Sequence, residues 1–194
     1  MAVIAISGST GAGKTVTAGR LAIKLGYGQF YTGAIFREMA AERGMPIEAF
    51  FHELASDPDL ERSIDARQAE ILATQGDIII QGRLAPFIIK GKVPGLPLPH
   101  APGISVLLTV SDTVGAHREA NRPENAGKPI EEVARMRAAR LADERKRYLD
   151  LYGIADHLDP REFDIILDTT ELTEEEVAEI VHHKILERIK NISV

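Results

Sequence analysis

Cysteine is absent from the 194 residues. That excludes a disulfide framework, a thiolate metal site and a cysteine nucleophile. No apolar run approaches the ~18 residues that a membrane span needs. Met1-Ala2-Val3-Ile4 lacks a basic stretch and runs straight into strand-like sequence, so no signal peptide is expected. Positive charge is in the minority: 23 Lys and Arg stand against 29 Asp and Glu, a net of −6. This balance argues against generic binding to nucleic acid or a membrane surface, while a local basic site stays possible. Internal repeats and interdomain linkers are also lacking. The expectation is a single cytoplasmic domain over residues 1–194, working as a monomer. Its 44% hydrophobic residues can fill a sizeable core.

Strand-like and helical stretches alternate along the chain. Val3-Ile4-Ala5-Ile6-Ser7 is a continuous apolar run, the pattern of a strand buried on both faces of a parallel sheet. Further strands are expected at Gln29–Tyr31, Asp77–Gln81, Ile104–Val110 and Phe163–Asp168. After the first strand, Ala18, Leu21, Ala22 and Leu25 share a helix face, with Gly26 as its stop. Helices are expected from about Ala34 to Gln75, broken at Gly44–Pro46 and Asp57-Pro58, then over Asp112–Asn121 and Pro129–Tyr152. The last helix opens on Thr173-Glu174-Glu175-Glu176, a capping-box pattern. The alternation predicts an α/β fold: a five-stranded parallel sheet with helices on both faces. Pro94 to Gly103 holds four of the ten prolines and reads as a stiff surface loop.

Gly8-Ser9-Thr10-Gly11-Ala12-Gly13-Lys14-Thr15 satisfies G-x-x-x-x-G-K-[ST] in full, with a strand before it and a helix after it. The glycines allow backbone N–H groups to converge on phosphate oxygens, and the helix dipole favours the same anion. Lys14 can reach the β- and γ-phosphates, and the Thr15 hydroxyl can take Mg²⁺. A nucleoside triphosphate is therefore the expected ligand. The loop alone leaves open whether its energy serves chemistry, motion or signalling.

Thr32-Gly33-Ala34-Ile35-Phe36-Arg37 follows the second strand, and Gln81-Gly82-Arg83 follows the third. Both fall at the carboxyl edge, where open α/β sheets bind ligands. Arg37 and Arg83 could together clamp a second phosphate by forked hydrogen bonds. A basic helix lies further on. Arg140, Glu144 and Arg147 are spaced i, i+4, i+7 and share one face, with Glu144 placed to orient both arginines. Arg118 and Arg122 stand one turn apart upstream of a polar Gly/Pro-rich segment, Pro123–Pro129. Arginine-bearing helices around such a loop suggest a lid, residues 118–147, that closes over phosphates. His182, His183, His100 and His52 lack partner motifs and read as surface groups; Tyr27, Tyr148 and Tyr152 read as packing residues.

The order of these pieces resembles the nucleoside monophosphate kinases of the P-loop class, and within them the cytidylate kinase family in its archaeal-type form. Phe36-Arg37-Glu38-Met39-Ala40-Ala41-Glu42-Arg43-Gly44-Met45, Asp65-Ala66-Arg67-Gln68, Gly82-Arg83-Leu84-Ala85, Lys146-Arg147-Tyr148, Tyr152-Gly153-Ile154 and Asp168-Thr169-Thr170 carry the likeness. It covers nearly the whole chain. It implies ATP- and Mg²⁺-dependent phosphorylation of CMP or dCMP. On that resemblance residues 33–75 form a helical acceptor-binding insertion. Thr32, Gly33, Arg37, Arg67, Gly82 and Arg83 face the acceptor; Arg118 and Arg122 cover ATP; Lys14, Arg140, Glu144 and Arg147 serve the transfer.

The chain departs from the family pattern at Tyr31, at Gln81 where an acid is usual, and at Gly115 where a lid arginine is common. Two other classes compete with a monophosphate kinase. A small-molecule kinase would need a carboxylate near an acceptor hydroxyl, and Gln81 occupies the expected place. A nonenzymatic NTP-dependent switch of the GTPase kind would need N-K-x-D, which is missing.

Overall fold

The computed structural model describes residues 2–46, 49–50, 53–54 and 57–192. His52 and parts of the expected helical stretch between Ala34 and Gln75 lie outside them. The strands are β1 (Val3–Gly8), β2 (Gly28–Tyr31), β3 (Ile78–Gln81), β4 (Gly103–Thr109) and β5 (Ile165–Asp168). They form one parallel sheet in the order β2-β3-β1-β4-β5. The main helices are α1 (Lys14–Leu25), α2 (Thr32–Glu42), α3 (Pro58–Thr74), α4 (Ala85–Ile89), α5 (Asp112–Ala120), α6 (Ile130–Tyr152) and α7 (Glu174–Ile192).

The central strands β1, β3 and β4 are buried on both faces, and side chains alternate between the two along each strand. Val3 and Ala5 of β1 enter one apolar layer with α3, α4 and Tyr148. Ile4 and Ile6 enter the other, with α1 and α7. A third cluster, Ile35, Ala40, Phe50, Leu54, Leu60 and Ile64, packs α2 against α3 beside the sheet. The chain winds from β1 out to β2, back to β3, and then past β1 to β4. The crevice at this reversal opens beyond the carboxyl end of β1, where Gly8 begins the phosphate loop.

Local signals account for the helix ends. Gly26 takes a left-handed φ of 68° and returns its N–H to Ala22. Asp57 caps α3 by accepting from Asp59 and Leu60, both at 3.0 Å, with Pro58 in the first turn. Thr173 and Glu176 form the expected reciprocal box. Two features differ from the sequence-based picture. Ala85–Ile89 forms a short, wholly buried helix where no element was expected. The proline loop is anchored: Val93 and Ala101 are buried, Leu96 packs on the core, and Pro102 O accepts from Val3 N at 2.9 Å.

Candidate active site

The phosphate loop leaves the sheet where β1 crowds β4. Gly8 has a φ of 149°, and any Cβ there would overlap the carbonyl of Leu108. Glycine alone fits. Downstream, the loop's carbonyls are engaged one after another by cations. Lys14 Nζ donates to Gly8 O at 2.9 Å and Ser9 O at 2.6 Å. Arg83 also donates to Gly8 O, Arg137 Nη1 to Thr10 O at 2.9 Å, and Arg118 Nη1 to Gly11 O at 3.3 Å. Four side chains, from α1, the turn after β3, α5 and α6, thus converge on four successive carbonyls, Gly8 to Gly11. Burial, followed by the Arg83 guanidinium, pulls the half-buried Lys14 ammonium well below its ordinary pKa. A bound anion would offset both by favouring the charged ammonium.

Glu144 ties these cations together. It is buried at 5% exposure on α6. Arg83 Nε donates to its Oε2 at 2.9 Å and Arg140 Nε to its Oε1 at 3.0 Å. His157 Nε2 lies 3.3 Å from the same carboxylate, and the fully buried imidazole sits edge-on to Tyr148. Burial works against the charge of Glu144. The surrounding His157, Arg83 and Arg140 outweigh it and hold the carboxyl well below the usual range. The expected strip is therefore only half realised. Arg147 turns to Glu61, with Nε 2.8 Å from Oε1, and Glu144 orients Arg83 instead. The reason is tertiary: α3 brings a carboxylate to one flank of α6, while the turn after β3 brings a guanidinium to the other.

Glu61, Asp65 and Gln68 form a polar strip on α3 at i, i+4, i+7, exposed by 5%, 6% and 0%. The Thr32 hydroxyl lies 2.5 Å from Gln68 Oε1 and 2.9 Å from Gln81 O, two acceptors that share its one proton. Gly82 lies against this pair, and a Cβ there would overlap the Thr32 hydroxyl. Tyr31, one of the departures, rests its ring on Gly33 and carries Arg37 on its face at 5.5 Å. Arg67 points elsewhere, toward Glu38 at 3.1 Å and Glu42 at 3.8 Å. The structure thus brings Thr32, Gly33, Gly82 and Arg83 to one side of the crevice and leaves Arg67 out.

Burial raises the Asp65 carboxyl to about 7, aided by Glu61 and opposed by the Tyr152 hydroxyl bond at 2.6 Å. An aspartate with a raised folded pKa binds its proton more tightly in the folded chain. Stability from this group is complete below about pH 4 and is lost as pH rises to about 7, by at most ~1.4 kcal/mol per unit. Asp65→Asn should therefore flatten the fall in melting temperature between pH 5 and 7. Melts of both chains across that range check this; parallel profiles would refute it.

At the other end of the crevice, Arg118 donates to Thr169 Oγ1 at 3.2 Å and Thr169 O at 2.9 Å. Arg122 pairs with Glu119 at 3.3 Å and reaches Glu124 at 3.9 Å, and its charge adds to those that lower the Lys14 pKa. The Thr15 hydroxyl stands exposed at the start of α1. Gln81 shares the α1-facing side of β3 with Ile79, and its buried Oε1 has no hydrogen-bond partner. Thr15 and Gln81 thus offer hard oxygen donors, suited to a divalent cation held mainly by phosphates and water.

Sequence reasoning did not single out Glu61, Gln68, His157 or Arg137 as site residues. The α3 strip was visible as spacing, but acidic residues at helical intervals usually mark a solvated face. His157 carried no signal, since a lone histidine in a loop has no local partner pattern.

A parallel sheet with a complete phosphate loop at its reversal point defines the fold class of the P-loop nucleoside triphosphate-binding proteins. Solved structures agree on the fold. Shikimate kinase from Bacteroides thetaiotaomicron matches with a TM-score of 0.61 at 19% identity, over 97% of this chain and 98% of that one. A gluconokinase from Sinorhizobium meliloti 1021 matches with 0.60 at 15%, over 99% and 95%. Sequence relatives are more specific. The cytidylate kinase of Methanopyrus kandleri is 39% identical over 179 residues, covering 92% of this chain and 90% of its own. That of Pyrococcus abyssi is 37% identical over 92% and 91%. Residues 3–171 match the cytidylate kinase-like family. The chain belongs to that family, and membership of a kinase family implies a nucleotide donor and a divalent cation.

Proposed function

We propose that this chain transfers the γ-phosphoryl group of ATP to CMP or dCMP, giving CDP or dCDP. One observation carries the reading beyond the family. Arg83, at the acceptor edge, is bonded both to the phosphate loop and to Glu144, which also holds Arg140. Acceptor-side and donor-side cations therefore meet at one carboxylate. An acceptor phosphate held there would lie in line with a donor phosphate on the loop.

Phosphoryl transfer needs alignment, water exclusion and charge neutralisation more than covalent help. An oxygen of the acceptor phosphate attacks the γ-phosphorus. The bond from that phosphorus to the β,γ-bridging oxygen breaks, and ADP leaves with the electron pair. The acceptor oxygen is already anionic, so no general base is required. Lys14, Arg140 and Arg83 offset charge on the transferring group. Thr15 and the Gln81 oxygen would face Mg²⁺, whose role is to neutralise the donor phosphates. Arg118 and Arg122 belong to a lid over ATP, residues 118–147. Residues 33–75 bind the acceptor, with Arg37 and the α3 strip lining its place. Arg147 contributes through Glu61 on that side.

A coupled assay with ATP against CMP, dCMP, UMP, AMP and simple sugars tests the reaction. Transfer to a sugar, or hydrolysis alone, would overturn it. Calorimetry should show CMP binding far more tightly than cytidine, because each charge-assisted contact is worth roughly 1.5–3 kcal/mol. Arg37→Ala should weaken CMP roughly 10–100-fold. Equal affinity for CMP and cytidine would rule out the clamp.

A further inference from the structure

The helix α5 carries a glycine in its interior, Gly115, where glycine weakens a helix relative to alanine. The structure fills the space that this glycine leaves. A Cβ at 115 would overlap both terminal nitrogens of Arg137 and lie 2.6 Å from its Cζ. A Cβ at Gly11 would come within 3.0 Å of Arg137 Nη1. The guanidinium is thus clamped between the tip of the phosphate loop and the body of α5, with its side chain only 8% exposed. It is the one residue of 134–140 on α6 that is not exposed. Its Nη1 donates to Thr10 O at 2.9 Å, and Asp112 stands 3.8 Å from Nη2, beyond hydrogen-bond reach. One turn along α5, Arg118 grips the next loop carbonyl, that of Gly11.

We propose that Arg137 is a positioning residue for the nucleotide donor and that Gly115 is its seat. The inference rests on the phosphate-loop reading above. The tip of the loop is held from two helices, by Arg118 from α5 and by Arg137 from α6. Arg137 fixes the Thr10–Gly11 peptide, whose neighbouring N–H groups must face the donor phosphates. It also docks α6 on the loop, three residues before Arg140. A fixed cation behind the loop adds to the field that favours triphosphate. Among the described residues, the bond and ion pair of Arg137 go to Thr10 and Asp112, and to none of the residues assigned to the acceptor.

A double-mutant cycle on ATP affinity tests this, with calorimetry on the full chain without acceptor. Arg137→Ala and Gly115→Ala should each weaken ATP about 10-fold or more. The double variant should be no weaker than the worse single, because both changes remove the guanidinium from the same seat. CMP affinity should stay unchanged in all three, and in turnover KM for ATP should rise while KM for CMP holds. Arg137→Lys should recover part of the ATP affinity. Melting adds a sign: Gly115→Ala should destabilise the unaltered chain but stabilise the Arg137→Ala chain, where the added methyl meets no guanidinium. Independent, multiplying effects of the two changes would overturn the proposal. So would a Gly115→Ala chain with normal ATP affinity, or a loss shared equally by CMP. Failure of the unaltered chain to bind ATP would instead overturn the phosphate-loop reading.

Discussion

Lys14→Ala is expected to leave a folded chain that transfers phosphate at least ~100-fold more slowly. Lys14 is half-buried and its ammonium binds two loop carbonyls, Gly8 and Ser9. Those bonds hold Nζ in the mouth of the crevice, where donor phosphates would supply its counter-charge. Without an anion the position is unfavourable, since burial and the nearby Arg83 both depress its pKa. Removing the cation therefore relieves repulsion in the empty protein, and the melting temperature should not fall. Activity falls while stability holds, which a merely structural lysine would not allow. A coupled assay and a thermal melt of the same preparation check both. Turnover within 10-fold of the parent chain would remove Lys14 from the mechanism.

Glu144→Gln should damage both activity and stability. The Glu144 side chain is buried, and its carboxylate faces Arg83 at 2.9 Å, Arg140 at 3.0 Å and His157 at 3.3 Å. Arg140 is itself 64% exposed and can turn to water, but Arg83 is only 15% exposed. Losing the charge strands Arg83 in a partly buried place. Breaking such a pair costs about 3–5 kcal/mol, a fall in Tm on the order of 10 °C for a chain of this size. Turnover should drop ~100-fold or more, because two phosphate-facing guanidiniums lose their common anchor. The pH sign is opposite to that of Asp65. A carboxyl held below its ordinary pKa stabilises the fold above about pH 4, and that contribution fades only as pH falls below the usual range. The parent chain should thus lose stability in acid more steeply than Glu144→Gln. A variant with unchanged Tm and turnover would reduce the cluster to a surface ion pair, worth ~0–1 kcal/mol.

Much of the fold and part of the site could be read along the chain. Strand β1 announces itself as an apolar run, the phosphate loop as a complete motif, and the Arg140–Glu144 pair as a one-turn spacing that α6 reproduces at 3.0 Å. Gly26, Asp57 and Thr173 end or begin helices by bonds spanning four residues or fewer. In each case the physics is local, so the neighbours that matter are already adjacent in sequence. The tertiary structure alone decided the partners that lie far apart. Arg83 meets Glu144 across 61 positions, and Arg137 meets Thr10 across 127. The same long-range packing turned Arg147 from Glu144 to Glu61, buried the acids of α3 that spacing marks as solvated, and set Arg67 among surface carboxylates. Charge strength alone could not choose among so many arginines and acids. The parallel sheet does so by bringing the ends of β1 and β3 and the flanks of α3 and α6 to one edge. Desolvation there makes each close pair costly to break.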